Sequence, residues 1–303
     1  MSVPIPFFDE DEDQYRLIFS PSQRSPSEGI LKQDHSFDLR LNEDYEIDTD
    51  NPIHKNKSCT IYLGRSDPSQ QKFYAIKKSS MIDRTSHEYL VYKELGFHRT
   101  IISCYGIWMD NMATFLALEL AEFGSIRGNI FNFDDDEVFR LFSHITYALA
   151  HMHSRSWIHL DISPSNILHC NEPVIGNVYK LADFGTATRF GLFEEDSEGA
   201  GPYVAPEALY YPNSNYPVGP EADIWSFGIV LMELVTRKNA PRAFNEYNKI
   251  REGTYDLSHI PAKFSFIIDM LRIDPRERPT AEDLLKMEIC QKELETLNLS
   301  VPF

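Results

Sequence analysis

Residues 157–166 read WIHLDISPSN, so a carboxylate, Asp161, stands five residues ahead of a carboxamide, Asn166. A second carboxylate, Asp183, follows in the stretch LADFG. The first pair matches the H-x-D-x-x-x-x-N arrangement of phosphoryl transfer, in which the Asp orients a hydroxyl acceptor and the Asn holds magnesium. Asp183 is then the main metal carboxylate. Leu181 and Ala182 before it suit the end of a buried strand, and Gly185 lets the backbone turn out of that strand. D-F-G alone is common by chance. Followed in order by VAPE at 204–207 and DIWSFG at 223–228, it becomes specific.

These groups need elements to carry them. From Ser58 the pattern predicts strands at CTIYLG and KFYAIKK, separated by a polar turn at 67–71. HEYLVYKELG predicts a helix ended by Gly96, and the runs CYGIWM and TFLALEL complete a small antiparallel sheet. From Asp134 the period becomes helical, with Val138, Leu141, Phe142, Ile145, Leu149 and Met152 on one face of a helix leading into the 157–166 loop. Further helices are expected at 221–236, with acidic residues in the first turn, and after Thr280, which forms a capping box with Asp283.

The chain of 303 residues is long enough for two packed lobes. A net charge of −17 argues against a nucleic-acid or anionic-membrane surface, both of which need clustered Lys and Arg. Cys59, Cys104, Cys170 and Cys290 are widely spaced, make no C-x-x-C pair and read as reduced thiols of an intracellular protein of the cytoplasm or nucleus. No signal-like segment opens the chain and no run of about 18 apolar residues occurs, so neither secretion nor a membrane span is expected. Residues 1–43 combine an acidic run with a Ser/Pro stretch and little apolar period, and are expected to be a disordered tail. The Ser-Pro steps at Ser20 and Ser25 fit that composition without implying modification.

Over about residues 45–290 the chain resembles the eukaryotic protein kinases. The resemblance implies an α+β, bilobal fold: an antiparallel-sheet N-lobe with one helix at 44–122, a mostly helical C-lobe at 123–292 and a C-terminal extension at 293–303. It implies ATP and Mg2+ as cofactors, a protein substrate and a monomer. Lys77 in YAIKK matches the lysine that contacts nucleotide phosphates, and Glu88 is its expected helix partner, with Glu94 the competitor. Ile61, Ala75, Glu119 and Leu120 are expected at the nucleotide, the last two in a hinge with Leu118 as gatekeeper. Glu207 is expected to pair with Arg278, and Asp223 to bond the catalytic-loop backbone, both structurally. His159 is expected to pack beside the loop and not to act as ligand or base.

A narrower resemblance is to the Wee/Myt group of mitosis-inhibitory kinases, which implies a cyclin-dependent kinase as substrate. It rests on YAIKKS, the spacing from Glu88 to Ile101, HLDISPSNI, EEDS at 194–197, KIREGTYDLSHIP and DPRERPTAEDLL. Departures are as informative. His54, Asn56 and Cys59 replace the three loop glycines, whose absence weakens or reshapes backbone approach to phosphates. Ser163 and Ser165 stand where the family supplies a Lys or Arg, although charge stabilisation dominates this reaction. Leu160 replaces the arginine that would hold a phosphorylated activation loop, and Ala200 replaces a usual threonine. An active kinase is therefore weighed against a pseudokinase that binds nucleotide or partners, and a small-molecule kinase is a weaker third reading.

Overall fold

In the computed structural model, residues 39–42, 45–66, 72–110, 113–172, 175–193, 201–241 and 243–297 are described. The early strand-forming runs build one antiparallel sheet from β1 (Leu39–Asn42), β2 (Tyr45–Asp48), β3 (His54–Lys55), β4 (Cys59–Arg65) and β5 (Phe73–Ser79), which precede helix α1 (Ile82–Leu95), and from β6 (Cys104–Asp110) and β7 (Ala113–Glu119) after it. The order is β1-β2-β4-β5-β7-β6, with β3 pairing β4 alone. Residues 39–42 lie inside the segment expected to be a tail, yet they pair with β2. The rest of that tail, the 67–71 turn, the EEDS segment, Ala200 and residues beyond 297 lie outside the described residues.

Strand alternation sorts this sheet into two faces. Tyr74 and Ile76 of β5 join Ile47, Phe115 and Ala117 in a small outer cluster. Trp108 lies parallel to Tyr45 and to Phe115, with ring centroids 5.4 and 5.3 Å away. The alternate β5 residues, Ala75 and Lys77, face the other way, toward α1. That helix begins at Ile82, earlier than expected, and ends at Gly96, whose φ of 67° and N–H bond to the Tyr92 carbonyl at 3.0 Å form a left-handed stop.

The C-terminal part is mostly helical. Asp134 caps α2 (Asp135–His153) by accepting the Glu137 N–H, and all six residues predicted for its apolar face are buried. Short strands β8 (Trp157–Ile158), β9 (Ile167–Glu172), β10 (Gly176–Leu181) and β11 (Thr188–Arg189) follow, β9 pairing β10 and β8 pairing β11. Then come α3 (Pro206–Leu209), α4 (Glu221–Thr236), α5 (Phe244–Arg251), α6 (Phe266–Met270), α7 (Ala281–Leu285) and α8 (Glu288–Thr296). Residues 222–234 of α4 are buried all round, which makes it the central helix of this lobe. The expected Thr280–Asp283 capping box is present at α7. The fold is thus the bilobal α+β arrangement expected. No helix among the described residues is long and apolar enough to cross a membrane, and all four cysteines are unpaired.

The lobes are stapled by backbone at the strand that carries the second carboxylate. Leu181 donates its N–H to the Thr100 carbonyl at 2.9 Å and accepts the Ile102 N–H at 3.0 Å. Deeper in the C-lobe, Arg278 meets Glu207 through two bonds of 2.6 and 2.9 Å, with both side chains buried. Removing one partner of such a pair strands a buried charge, which costs about 3–5 kcal/mol. Glu207→Ala is therefore expected to lose about that much in chemical denaturation, and a loss under about 1 kcal/mol would show that Arg278 is carried by its carbonyl partners instead.

Candidate active site

The loop 157–166 is held from α4. Leu160 has φ 66°, a left-handed turn that points two successive N–H groups inward, where they need an acceptor. Asp223 supplies it, accepting from His159 N and Leu160 N at 2.9 Å each, and from His153 at 2.8 Å. His159 is fully buried. Its Nδ1 accepts the Asp161 N–H at 3.2 Å and its Nε2 donates to the Ala182 carbonyl at 3.1 Å, so one tautomer satisfies both contacts and leaves no nitrogen for catalysis. Both expectations for these residues, a structural Asp223 and a packed His159, agree with this geometry. Asn166 donates its Nδ2 to the Asp161 carbonyl at 2.7 Å and to Asp161 Oδ2 at 2.9 Å. That fixes the carboxylate and leaves the carboxamide oxygen as the Asn166 group able to face a cation.

Asp183 sits across from this loop. The Ala182 N–H bonds the Asn166 carbonyl at 2.9 Å, and Asp183 itself has φ 63°. Phe184 packs edge-on to Tyr92 of α1 at 4.8 Å and tilted against His159 at 5.1 Å, so one aromatic stack joins α1 to the loop. Lys77 closes the arrangement. Its Nζ lies 2.8 Å from Glu88 Oε2 and 3.1 Å from Asp183 Oδ1. The competitor, Glu94, instead accepts from Trp157 Nε1 at 3.2 Å and pairs with Arg189.

The charges follow from burial. Desolvation opposes protonation of Lys77, but Glu88 and Asp183 outweigh it and raise its pKa. Burial pushes Glu88 up to about 7, with Lys77 opposing. Its Oε1 is buried without a hydrogen-bond partner, which agrees with that direction. Burial and the neighbouring Asp183 push Asp161 up to about 6. Burial raises Asp183 too, yet Lys77 overrides it and the net shift is downward. Asp183 is thus the better anion of the two. An ionised carboxylate and a carboxamide oxygen suit Mg2+, which takes few protein oxygens and completes its shell with water and phosphate. Among the described residues no group of three or more His, Cys, Asp or Glu forms a dedicated metal cage.

Register brings the expected nucleotide residues together. Ile61 is paired with Lys77, and Ala75 with Leu118, so these four share the sheet face above the cleft. Glu119 is different. Its N–H is committed to the Ser103 carbonyl at 2.8 Å, while its carboxylate accepts Ser103 N at 3.0 Å and pairs with buried Lys180. The Glu119 side chain and N–H are therefore engaged within the scaffold. Leu120 and the following Ala121 are buried at this junction.

The loop without glycines is closed on itself. Asn56 Oδ1 accepts the N–H groups of Ser58 at 2.9 Å and Cys59 at 2.7 Å, and the Asn56 N–H bonds the Cys59 carbonyl at 3.0 Å. A side-chain oxygen thus occupies two backbone donors of the segment that would otherwise face phosphates. The start of the segment after Asp183 is tied to α1: His87 Nε2 donates to the Ala187 carbonyl at 2.6 Å, and Arg189 pairs with Glu94 while its guanidinium lies 4.3 Å from the Trp157 ring centre. Sequence reasoning missed Arg84. It stands one turn before Glu88 on α1, an i, i+4 relation that could have placed it on the cleft side.

The match to the protein kinase domain covers residues 57–289, most of the chain. Similar proteins include a probable protein kinase of Dictyostelium discoideum, 30% identical over 264 residues, which are 80% of this chain and 72% of that protein. A Wee1-like protein kinase of Oryza sativa subsp. japonica is 31% identical over 200 residues, 65% of this chain and 37% of its own length. Ribosomal protein S6 kinase alpha-2 of Homo sapiens is 28% identical over 297 residues, 89% of this chain and 39% of its own. The chain thus spans well under half the length of the last two, and its likeness is spread over several kinase groups without favouring the Wee1-like one. With its fold, its paired lobes and this match, the chain belongs to the protein kinase domain family.

Proposed function

We infer that the chain is an ATP-dependent protein kinase that transfers the γ-phosphoryl group to a protein hydroxyl. The observation that carries this reading is the pair of contacts from Lys77 to Glu88 and to Asp183, beside a loop that fixes Asp161 through Asn166. Lys77, held protonated, pairs with nucleotide phosphates; Ile61, Ala75 and Leu118 cover the base; Asp161 accepts the hydroxyl proton and aims the oxygen. Asn166 and Asp183 are the residues to hold magnesium, which when bound neutralises charge on the transferring phosphate. The new bond joins the acceptor oxygen to phosphorus, the bond from phosphorus to the bridging oxygen breaks with its electrons leaving on ADP, and the proton passes to Asp161.

The closed Asn56 loop favours a second reading, a pseudokinase that uses the fold for binding. The finer proposal of a cyclin-dependent kinase as substrate, with a cell-cycle role, rests on the Wee/Myt-like segments and the Wee1-like relative alone.

Transfer of labelled phosphate from ATP to a generic protein substrate, with and without magnesium, tests the reading. Activity is expected only with magnesium and is expected to vanish in Asp183→Asn. Since Asp161 must be deprotonated to accept a proton and its pKa is raised to about 6, kcat/KM is expected to fall as pH drops through about 6 and to level off above about 7, where Glu88 has also ionised. No magnesium-dependent transfer, or a profile flat across that range, would contradict it. Asn56→Gly should release the Ser58 and Cys59 N–H groups and tighten MgATP binding about fivefold to tenfold, which calorimetric titration reads directly. Unchanged or weaker binding would mean that the loop N–H groups do not face the phosphates.

A further inference from the structure

The missing cation of the catalytic loop leaves the γ-phosphate without a positive partner beyond Lys77 and the metal, since Ser163 and Ser165 supply none. The structure brings one in from the opposite lobe. Arg84, in the first turn of α1, extends over the backbone at Gly185: a Cβ at that glycine would stand 2.7 Å from Arg84 Nε and 3.3 Å from its Cγ, with Asp183 Oδ1 at 3.4 Å from the same point. Glycine is what allows the arginine to cross there. The Arg84 Nε and Asp183 Oδ1 therefore flank the same point over the Gly185 backbone. No hydrogen bond or ion pair within the described residues engages the Arg84 guanidinium, and the residue is exposed.

Its charge is felt by every group around that gap. Burial raises Asp161, Glu88 and Cys59, and in each the Arg84 charge pulls the other way; in Asp183, where burial also raises, Lys77 and then Arg84 contribute to the downward outcome. The Arg84 Nε and the Asp183 carboxylate thus approach the same point above Gly185, which puts a cation next to the carboxylate that a magnesium-bound phosphate would meet. Arginine suits this task, because its planar fork can pair two phosphate oxygens.

Resting on the kinase reading above, the geometry points to Arg84 as the γ-phosphate cation of this enzyme, donated from α1 in place of the lysine that Ser163 lacks. Its pairing strengthens as charge moves onto the transferring group and the leaving oxygen, so it acts in the transition state as well as in nucleotide binding. The arginine exchanges no proton; the hydroxyl proton still goes to Asp161 and the broken bond's electrons to ADP.

Binding of MgATP and of MgADP, together with transfer kinetics, is measured for the full chain, Arg84→Ala, Arg84→Lys, and Arg84→Ala combined with Ser163→Lys. Arg84→Ala is expected to weaken MgATP about tenfold while leaving MgADP unchanged, and to lower kcat about tenfold with little change in peptide KM. Arg84→Lys should retain part of both, and Ser163→Lys should restore them in the Arg84→Ala background. Equal effects on MgATP and MgADP, no effect, or no rescue by Ser163→Lys would overturn the assignment. If the unaltered chain transfers no phosphate, the kinase reading fails on that ground alone, and the ratio of MgATP to MgADP affinity still decides whether Arg84 meets the terminal phosphate.

Discussion

A buried ammonium held between two carboxylates fixes the relation of the lobes. Lys77 on β5 bonds Glu88 on α1 and Asp183 after β10, so the sheet, the helix and the segment carrying Asp183 meet at one cation. In a poorly hydrated site each member depends on the others: without Lys77, burial would drive Glu88 to take up a proton, and without Glu88 the lysine would lose the contact that anchors it. The aromatic contacts of Phe184 with Tyr92 and His159, and the Asp223 bonds to the loop backbone, extend that constraint to the C-lobe. A rigid α4, buried on all sides, supplies the fixed end.

The same arrangement explains how a loop without glycines is compatible with phosphoryl transfer. Backbone N–H groups and side-chain cations are interchangeable sources of positive potential at phosphate oxygens. Here Asn56 absorbs two of the N–H groups, Ser163 and Ser165 offer no charge, and the remaining cations, Lys77 and Arg84, both approach from the N-lobe side. Closing of the lobes and charge at the reacting phosphate are thereby linked to the position of α1. The contacts of His87 and Arg189 hold that helix against the segment after Asp183, and leucine at position 160 offers no cation to a phosphate there.

What was legible in the sequence was what short-range pattern determines. The bounds of α4, the apolar face of α2, the capping box at Thr280 and the stop at Gly96 follow from local period and capping chemistry. Motif spacing located Asp161, Asn166, Lys77 and Asp183, and chose Glu88 over Glu94. Strand β1 was not legible because its pairing with β2 is decided by the neighbour and not by its own composition. The Glu119–Lys180 pair was not legible for a related reason: it joins residues far apart in the chain, and no local signal announces it. Asn56 was read as an absent glycine, whereas its carboxamide is an acceptor that takes the freed donors. Arg84 lies ahead of the run expected to be helical, and only the glycine at 185 beneath it revealed the direction of its side chain.

The most direct test of this account is hydrogen exchange of the α1 amides in the nucleotide-free, unphosphorylated chain and in Lys77→Met. If Lys77 fixes the helix, the amides of α1 in the unaltered chain exchange slowly, and in Lys77→Met they exchange about tenfold faster or more while those of α4 are unchanged. Equal protection of α1 in both proteins would contradict the claim that this one cation holds the two lobes in their working arrangement.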